Sequence, residues 1–459
     1  MGDRYPHHRP RYHPSLPHGY LNDPNGPIEV HGLIRLFFQS RPFADLRVPV
    51  QWGTATTTDL VHWTLHRPAM SPTPGGLDSD GCWSGNTVLD GGRVRAFYSG
   101  HIADRPLEHI LTAVSDDRGA SFGPPELLLE EPDPSAGVVM LRDPFVWSGG
   151  AGLQMVIGCG LADGSPAIRH YRSADRRTWR YVGDIAALPR TVQDGVDTGE
   201  GWECPQVIGV DGREVALVCA WSFAGGPGSV LAFPLGGTPR PQVFDDGNSF
   251  YAPSVMRDGA HGPVLFGWLR EGRDDAWWQE EGWAGVIALP RRVWLADSST
   301  SGPRLCSEPH PALAALRLGA PLQADGAQVG AQVEVVLPAV SGRLRVRFGV
   351  DEWVDIDVDL EAGTVEVDRS RASADRRAHR DGSVMTDAFD GGSGRAAVRV
   401  LLDGSTLEVF TSGGRSLSTR VYPLAPPPWR VEAPSGAQVW RLDRAITPSA
   451  SKFDGGHSG

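Results

Sequence analysis

Long apolar runs, closely paired cysteines, an excess of basic side chains and helical periodicity are all missing or scarce in this chain. No uninterrupted apolar stretch approaches the ~18–20 residues that a membrane-spanning helix needs. The first residues, MGDRYPHHRPRYHP, lack the apolar core of a secretory signal, and Pro6 stands where a myristoylation site carries Ser or Thr. A cytoplasmic protein that does not engage membranes is therefore expected. The five cysteines, Cys82, Cys159, Cys204, Cys219 and Cys306, are odd in number and show no CxxC spacing. That argues for free thiols in a reducing compartment and against a zinc site. Acidic side chains outnumber basic ones, 55 to 43, and the net charge of −12 disfavours nucleic acid as a partner. Neutral ligands fit such a surface better.

Tryptophan, by contrast, is abundant, with 15 residues against 8 tyrosines. Its flat apolar face and single donor suit stacking on sugar rings and equally suit packing inside a β-core. With 40% hydrophobic and 21% charged residues the composition is globular, and 459 residues exceed one ordinary core. Two domains or one large repeat fold are expected. His7, His8 and His13 lie in a Pro/Arg-rich arm and read as a solvated tail rather than a metal cluster.

Short apolar or alternating runs recur at 33–38, 93–98, 154–158, 214–220, 230–235 and 263–269, separated by Gly/Pro/Asp clusters. This is an all-β pattern. Within it lies a repeat. Thr57-x-Asp59-x-x-x-Trp63 recurs as Ser115-x-Asp117, with Phe122 one residue late, and as Ser173-x-Asp175-x-x-x-Trp179, the starts being 58 residues apart each time. A period near ~50 residues built from short strands signals propeller blades. Five such units end near Asp297, although the motif itself shows only three copies.

The stretch HGYLNDPNG at 18–26 concentrates turn-forming residues before an apolar run. It predicts Asp23 on a stiff turn at the mouth of a sheet, which alone fits an ordinary turn aspartate as well as a functional one. Steps of 60 residues from Asp23 reach Trp83 in CWSGN, Asp143 in RDPF and Glu203 in WECP. Repeat-equivalent positions of a propeller lie at one height around its channel, so these residues are predicted to converge. Gathered carboxylates repel one another and resist burial, which marks them as a functional-site candidate.

After Arg304 the character changes. A short helical linker at 308–317 precedes alternating strands at 333–337, 344–348, 354–358, 365–367, 397–402 and 407–410. They form a second all-β unit, most simply a sandwich. The polar segment 370–394 reads in part as an exposed loop, and 447–459 as a disordered tail. The expected division is a propeller over 1–302, a linker over 303–318, a sandwich over 319–446 and the tail.

These landmarks resemble glycoside hydrolase family 32, the invertases, fructanases and related β-fructofuranosidases. HGYLNDPNG, WSGN, RDP and WECP occur in the family's order, followed by DGNSFYAPS at 246–254, FGW at 266–268 and DGSTLEVF at 403–410. The resemblance implies a five-bladed β-propeller followed by a C-terminal β-sandwich. It further implies Asp23 as nucleophile, Glu203 as general acid/base and Asp143 as transition-state stabiliser. Tyr20, Leu21, Asn22, Gln39, Trp52, Trp83, Ser84, Arg142 and Trp268 would contact the sugar. The implied substrate is a small β-fructoside, and neither metal nor organic cofactor is required. Trp202 and Cys204 should help burial raise the Glu203 pKa, together with an anionic Asp23, while Arg142 should keep Asp143 ionised. Tyr20 stands where the family usually has Trp, and Ser40, Thr54, Asn86 and Ser254 are further departures, which leave the three carboxylates in place. A fructosyltransferase would use the same residues. A non-catalytic sugar-binding propeller would be expected to have lost a carboxylate, and an inverting enzyme would hold two of them ~6.5–9.5 Å apart. The expected activity is exo-hydrolysis of unphosphorylated sucrose and short fructans. Arg41 and Arg47 are the candidate counter-charges should the substrate carry a phosphate.

Overall fold

The computed structural model describes residues 4–42, 45–150, 152–193, 196–296, 302–386, 389 and 398–448. Five antiparallel sheets follow one another and begin at Gly19–Val30, Gly81–Asp90, Val138–Gly149, Gly201–Val210 and Phe250–Met256. Each such strand is the innermost of its blade, and neighbouring innermost strands contact one another around a channel. Most of the apolar runs legible in the sequence are second strands, as with Leu33–Arg41 and Gly152–Leu161, which pair on both edges. Buried on both faces, such strands carry apolar side chains with little alternation.

The repeated motif turns out to be the turn between the third and outermost strands of blades 1 to 3. In blade 1 the Asp59 carboxylate accepts from the Thr57 hydroxyl (2.9 Å) and from the backbone N–H groups of Val61 (2.9 Å) and His62 (2.8 Å). Asp175 does the same for Ser173, Arg177 and Thr178. Such an Asx turn stops one strand and starts the next. Blade 4 makes that connection through a Gly/Pro-rich segment at 235–241, which is why the motif shows no copy there.

Behind the propeller, two six-stranded sheets pack face to face over an apolar core that includes Val335, Val346, Ile356, Val400, Val409 and Trp429. Several expected boundaries move. Arg304–Pro309 is the last strand of the fifth blade rather than linker, and Pro311–Leu316 is a 3-10 turn. At the other end Ile446–Pro448 adds a parallel strand to the outer edge of blade 1, and the remaining tail residues lie outside the described residues. Part of the segment read as an exposed loop also docks: Ser383–Met385 pairs with 365–367, and Ala378 bridges to Arg273 of the propeller. Residues 387–388 and 390–394 of that loop are likewise outside the described residues.

The histidine arm is no solvated tail. His8 is 1% and His13 0% exposed. His13 lies between Asp403 (2.9 Å) and Glu408 (3.0 Å) of the sandwich, and Arg291 of blade 5 bonds Glu408 (2.6 Å) and Asp245 (3.0 Å). Gly404 makes room for the arm, since a Cβ there would lie 2.6 Å from the His8 carbonyl oxygen. Among the described residues no His/Cys/Asp/Glu cluster could hold a metal ion, and no helix is long and apolar enough to cross a membrane.

Candidate active site

Every innermost strand breaks register close to its channel end. The irregularities fall between Leu21 and Pro24, Cys82 and Gly85, Arg142 and Phe145, Glu203 and Gln206, and Tyr251 and Ser254. A bulge swings one side chain out of the strand's alternation, and here five bulges turn side chains toward one axis. Three bulge residues take left-handed backbone, Asp143 (φ 63°), Cys204 (φ 47°) and Ala252 (φ 46°). Such strain costs on the order of 1 kcal/mol per residue and concentrates at functional sites. The NDPNG stretch is therefore a bulged strand and not the expected turn, and the chain reverses later, at His31–Gly32.

Asp23 is held on both oxygens. Ser84 Oγ donates to Oδ2 (2.7 Å) and Asn22 Nδ2 to Oδ1 (3.1 Å), while Cys204 Sγ lies 3.7 Å from Oδ2. Gln39 closes a ring by accepting from Asn22 (2.6 Å) and donating to Ser84 (2.7 Å). Burial raises the Asp23 pKa, and these donors oppose it. On the facing wall, Glu203 Oε1 accepts from Arg142 Nη1 (3.0 Å) and Oε2 from the Tyr251 hydroxyl (2.9 Å). Burial raises its pKa above the usual carboxylate range. Arg142 pulls the other way, and the Asp23 charge adds to the rise.

Asp143 shares the Cys204 thiol with Asp23, Sγ lying 3.6 Å from its Oδ2. The Cys204 backbone N–H donates to its Oδ2 (2.9 Å), and its own N–H donates to Ser99 Oγ (2.7 Å). Its pKa is pushed up to about 8 by burial first and by the Glu203 charge second. This corrects the expectation that Arg142 holds Asp143 ionised. The guanidinium directs its hydrogen bonds to Glu203 and to Glu108 (2.9 Å), and its charge lowers the Asp143 pKa by less than burial raises it.

Trp83 lies between the Arg142 guanidinium (5.0 Å) and the His101 ring, stacked at 4.0 Å. Tyr20 meets Trp278 (5.3 Å) and Trp268 (6.3 Å) edge-on, with the Arg41 guanidinium 5.9 Å from its ring. Two expected sugar contacts are corrected. Leu21 and Trp52 are both 0% exposed and belong to the cores of the first blades. The period-2 alternation that brings Tyr20 and Asn22 to the channel turns Leu21 away from it. Trp52 instead props the site from behind, its Nε1 donating to the Trp83 carbonyl (2.9 Å). Conversely, Glu108, His101, Ser99 and Tyr251 were missed. A 60-residue step from Glu203 lands on Pro263, because the fifth blade starts early; Tyr251 did lie in the landmark at 246–254, as its only signal.

Four polar atoms around this funnel are buried without a partner: Asn22 Oδ1, Glu108 Oε2, Arg142 Nε and Trp268 Nε1. Comparison with known proteins now decides the family. The glycosyl hydrolases family 32 N-terminal domain matches residues 13–309, and the family 32 C-terminal domain matches 308–445. The chain belongs to glycosyl hydrolase family 32. It is a glycoside hydrolase of the β-fructofuranosidase type. It is 29% identical to a raffinose invertase of Escherichia coli, over 91% of this chain and 90% of that one. With a sucrose-6-phosphate hydrolase of Bacillus subtilis it shares 28% identity over 91% and 89%. The fold matches that of a family 32 β-fructofuranosidase of Bombyx mori, with a TM-score of 0.79 at 24% identity over 96% of this chain and 95% of that one. A fructan 1-exohydrolase of Cichorium intybus gives the same TM-score at 21% identity, covering 98% and 100%. The family 32 architecture of five blades and a sandwich accounts for the whole described chain.

Proposed function

We propose that this enzyme removes terminal β-D-fructofuranosyl units from sucrose and short fructans with retention of configuration. The observation that supports it most is the unequal anchoring of two carboxylates on facing strands. Burial raises both, but Asp23 is oriented by the neutral donors Ser84 and Asn22, whereas Glu203 is held by the Arg142 guanidinium and the Tyr251 hydroxyl and is raised further by the Asp23 charge. In the first step Glu203 gives its proton to the leaving oxygen while an Asp23 oxygen forms a bond to the anomeric carbon. Asp23 is then neutral, so its push on Glu203 disappears and the Glu203 pKa falls. Glu203 next takes a proton from water, whose oxygen displaces Asp23. Asp143 would hold sugar hydroxyls, and Asn22 Oδ1 beside Asp23 and Trp268 Nε1 beside Tyr20 and Tyr251 offer unused bonding capacity.

Relatives carry substrate in this fold: the Bombyx mori enzyme has been seen with sucrose and the Cichorium intybus one with 1-kestose. An unphosphorylated substrate is supported by Arg47, whose side chain is 91% exposed and tied to Asp45. A second reading, sucrose 6-phosphate, is favoured by Arg41 beside Tyr20 and by Arg270 over the Tyr251 ring (5.1 Å). A kcat/KM for sucrose 6-phosphate far above that for sucrose, lost in Arg41→Ala, would select it. Five buried free cysteines support a reducing, cytoplasmic setting. The roles are tested by Asp23→Ala and Glu203→Ala. Each should lose several orders of magnitude in turnover, and only the Glu203 variant should be partly rescued by a leaving group that needs no proton. Equal rescue of both would overturn the assignment.

A further inference from the structure

A second cleft, of about 700 Å³, opens on the outer edge of blade 3. One side is the segment that follows the Glu126–Leu129 strand of blade 2, including Pro132, Asp133 and Ala136. The other side is aromatic: Tyr171 and Tyr181 are opposite each other in register, their rings 5.4 Å apart, with Trp179 beside them. Tyr181 is 41% exposed, and the Arg169 guanidinium lies 4.1 Å from its ring. These residues belong to the third and outermost strands and the turn between them. The proposed catalytic groups belong to the innermost strands.

The repeat shows what is unusual here. In blade 1 the equivalent aromatic, Trp63, is 1% exposed and covered by the Ile446–Pro448 strand. In blade 2 Phe122 packs on Phe37 (5.6 Å) and Trp52 (6.5 Å). Trp179 of blade 3 rests edge-on against Phe97 (6.0 Å) on one side and lines the open cleft on the other. Around it the charges balance, with Arg169 and Arg177 against Glu130 and Asp133. A cleft with no net charge, aromatic faces and polar rims suits a neutral polyhydroxylated chain, whose C–H faces stack on rings while its hydroxyls bond the rim. Its size is that of a small-molecule site.

We infer that this cleft is a carbohydrate-binding site, separate from the catalytic channel, that holds a segment of a neutral fructan. The inference rests on the fructan reading above. Holding the polymer at the blade edge raises the concentration of chain ends near the channel without any new catalytic contact. The test is affinity electrophoresis in gels containing inulin or levan, with dextran as a control. Asp23→Ala serves as background so that the polysaccharide stays intact, and Tyr181→Ala or Ala136→Trp is added to it; the tryptophan fills the cleft without removing a contact. Expected are retardation by fructan that weakens about threefold or more in both double variants, no retardation by dextran, and unchanged kcat/KM for sucrose in the single variants. Equal retardation of all three proteins, retardation by dextran alone, or a parallel fall in sucrose turnover would each overturn the proposal. Fructose release from inulin by the wild-type enzyme tests the substrate reading separately.

Discussion

Replacing Tyr251 by Phe removes one hydroxyl from the channel and leaves the ring in its packing. That hydroxyl donates to Glu203 Oε2 at 2.9 Å, on a carboxylate only 12% exposed, and it also lies 3.2 Å from the Ala220 carbonyl oxygen. A hydrogen bond to a charged group is worth ~1.5–3 kcal/mol, and one pH unit corresponds to ~1.4 kcal/mol. Because the donor is shared with Ala220, the lower end applies, which gives a shift of about one unit. The sign follows from the donor: it favours the Glu203 anion, so its loss raises the Glu203 pKa above an already raised value. In the pH profile of kcat/KM the alkaline limb, where the acid loses its proton, should move up by about one unit. The acid limb, set by Asp23, should stay. Movement of the acid limb instead, or a downward shift of the alkaline one, would refute the assignment of Glu203 as proton donor.

Glu108→Gln should act the opposite way: Arg142 then faces Glu203 without a competing carboxylate, so the alkaline limb moves down, as the same profile would show. Arg291→Met leaves Asp245 buried without its cation and Glu408 with His13 alone, which should cost ~3–5 kcal/mol in a denaturant titration while leaving the channel residues untouched. The same interface makes stability depend on pH. The Glu408 carboxyl is held down to about 2, burial being outweighed by Arg291 and His13, so its contribution is present above 4.5 and lost as pH falls toward 2. The His13 pKa is raised by Asp403 and Glu408 against burial, so its contribution is full below 6.5 and lost as pH rises through the raised value. Calorimetry should find the highest Tm between 4.5 and 6.5, and a Tm that keeps rising as the pH is taken above 6.5 would contradict the bridge.

Much of the architecture was legible because the first four blades are nearly equal in length, so steps of 60 residues carried Asp23 to Trp83, Asp143 and Glu203. The period breaks at blade 5, whose shorter approach hides Tyr251, and Glu108 stands just before a third strand and has no repeat partner. Ionisation was the least legible property. Arg142 is adjacent to Asp143 in sequence, yet on a bulged strand with left-handed backbone at Asp143 the two side chains diverge, and the arginine serves Glu203 and Glu108. The histidine arm looked polar enough to be solvated. Only the fold places two sandwich carboxylates beside His13, and burying that charge requires both of them.

The central claim is a double displacement through Asp23, and the anomer of the first-formed product tests it most directly. NMR spectra recorded within the first turnovers on sucrose should show β-fructofuranose before mutarotation sets in, because two inversions at one carbon restore the configuration. An α-anomer appearing first would mean a single displacement by water and would contradict the account.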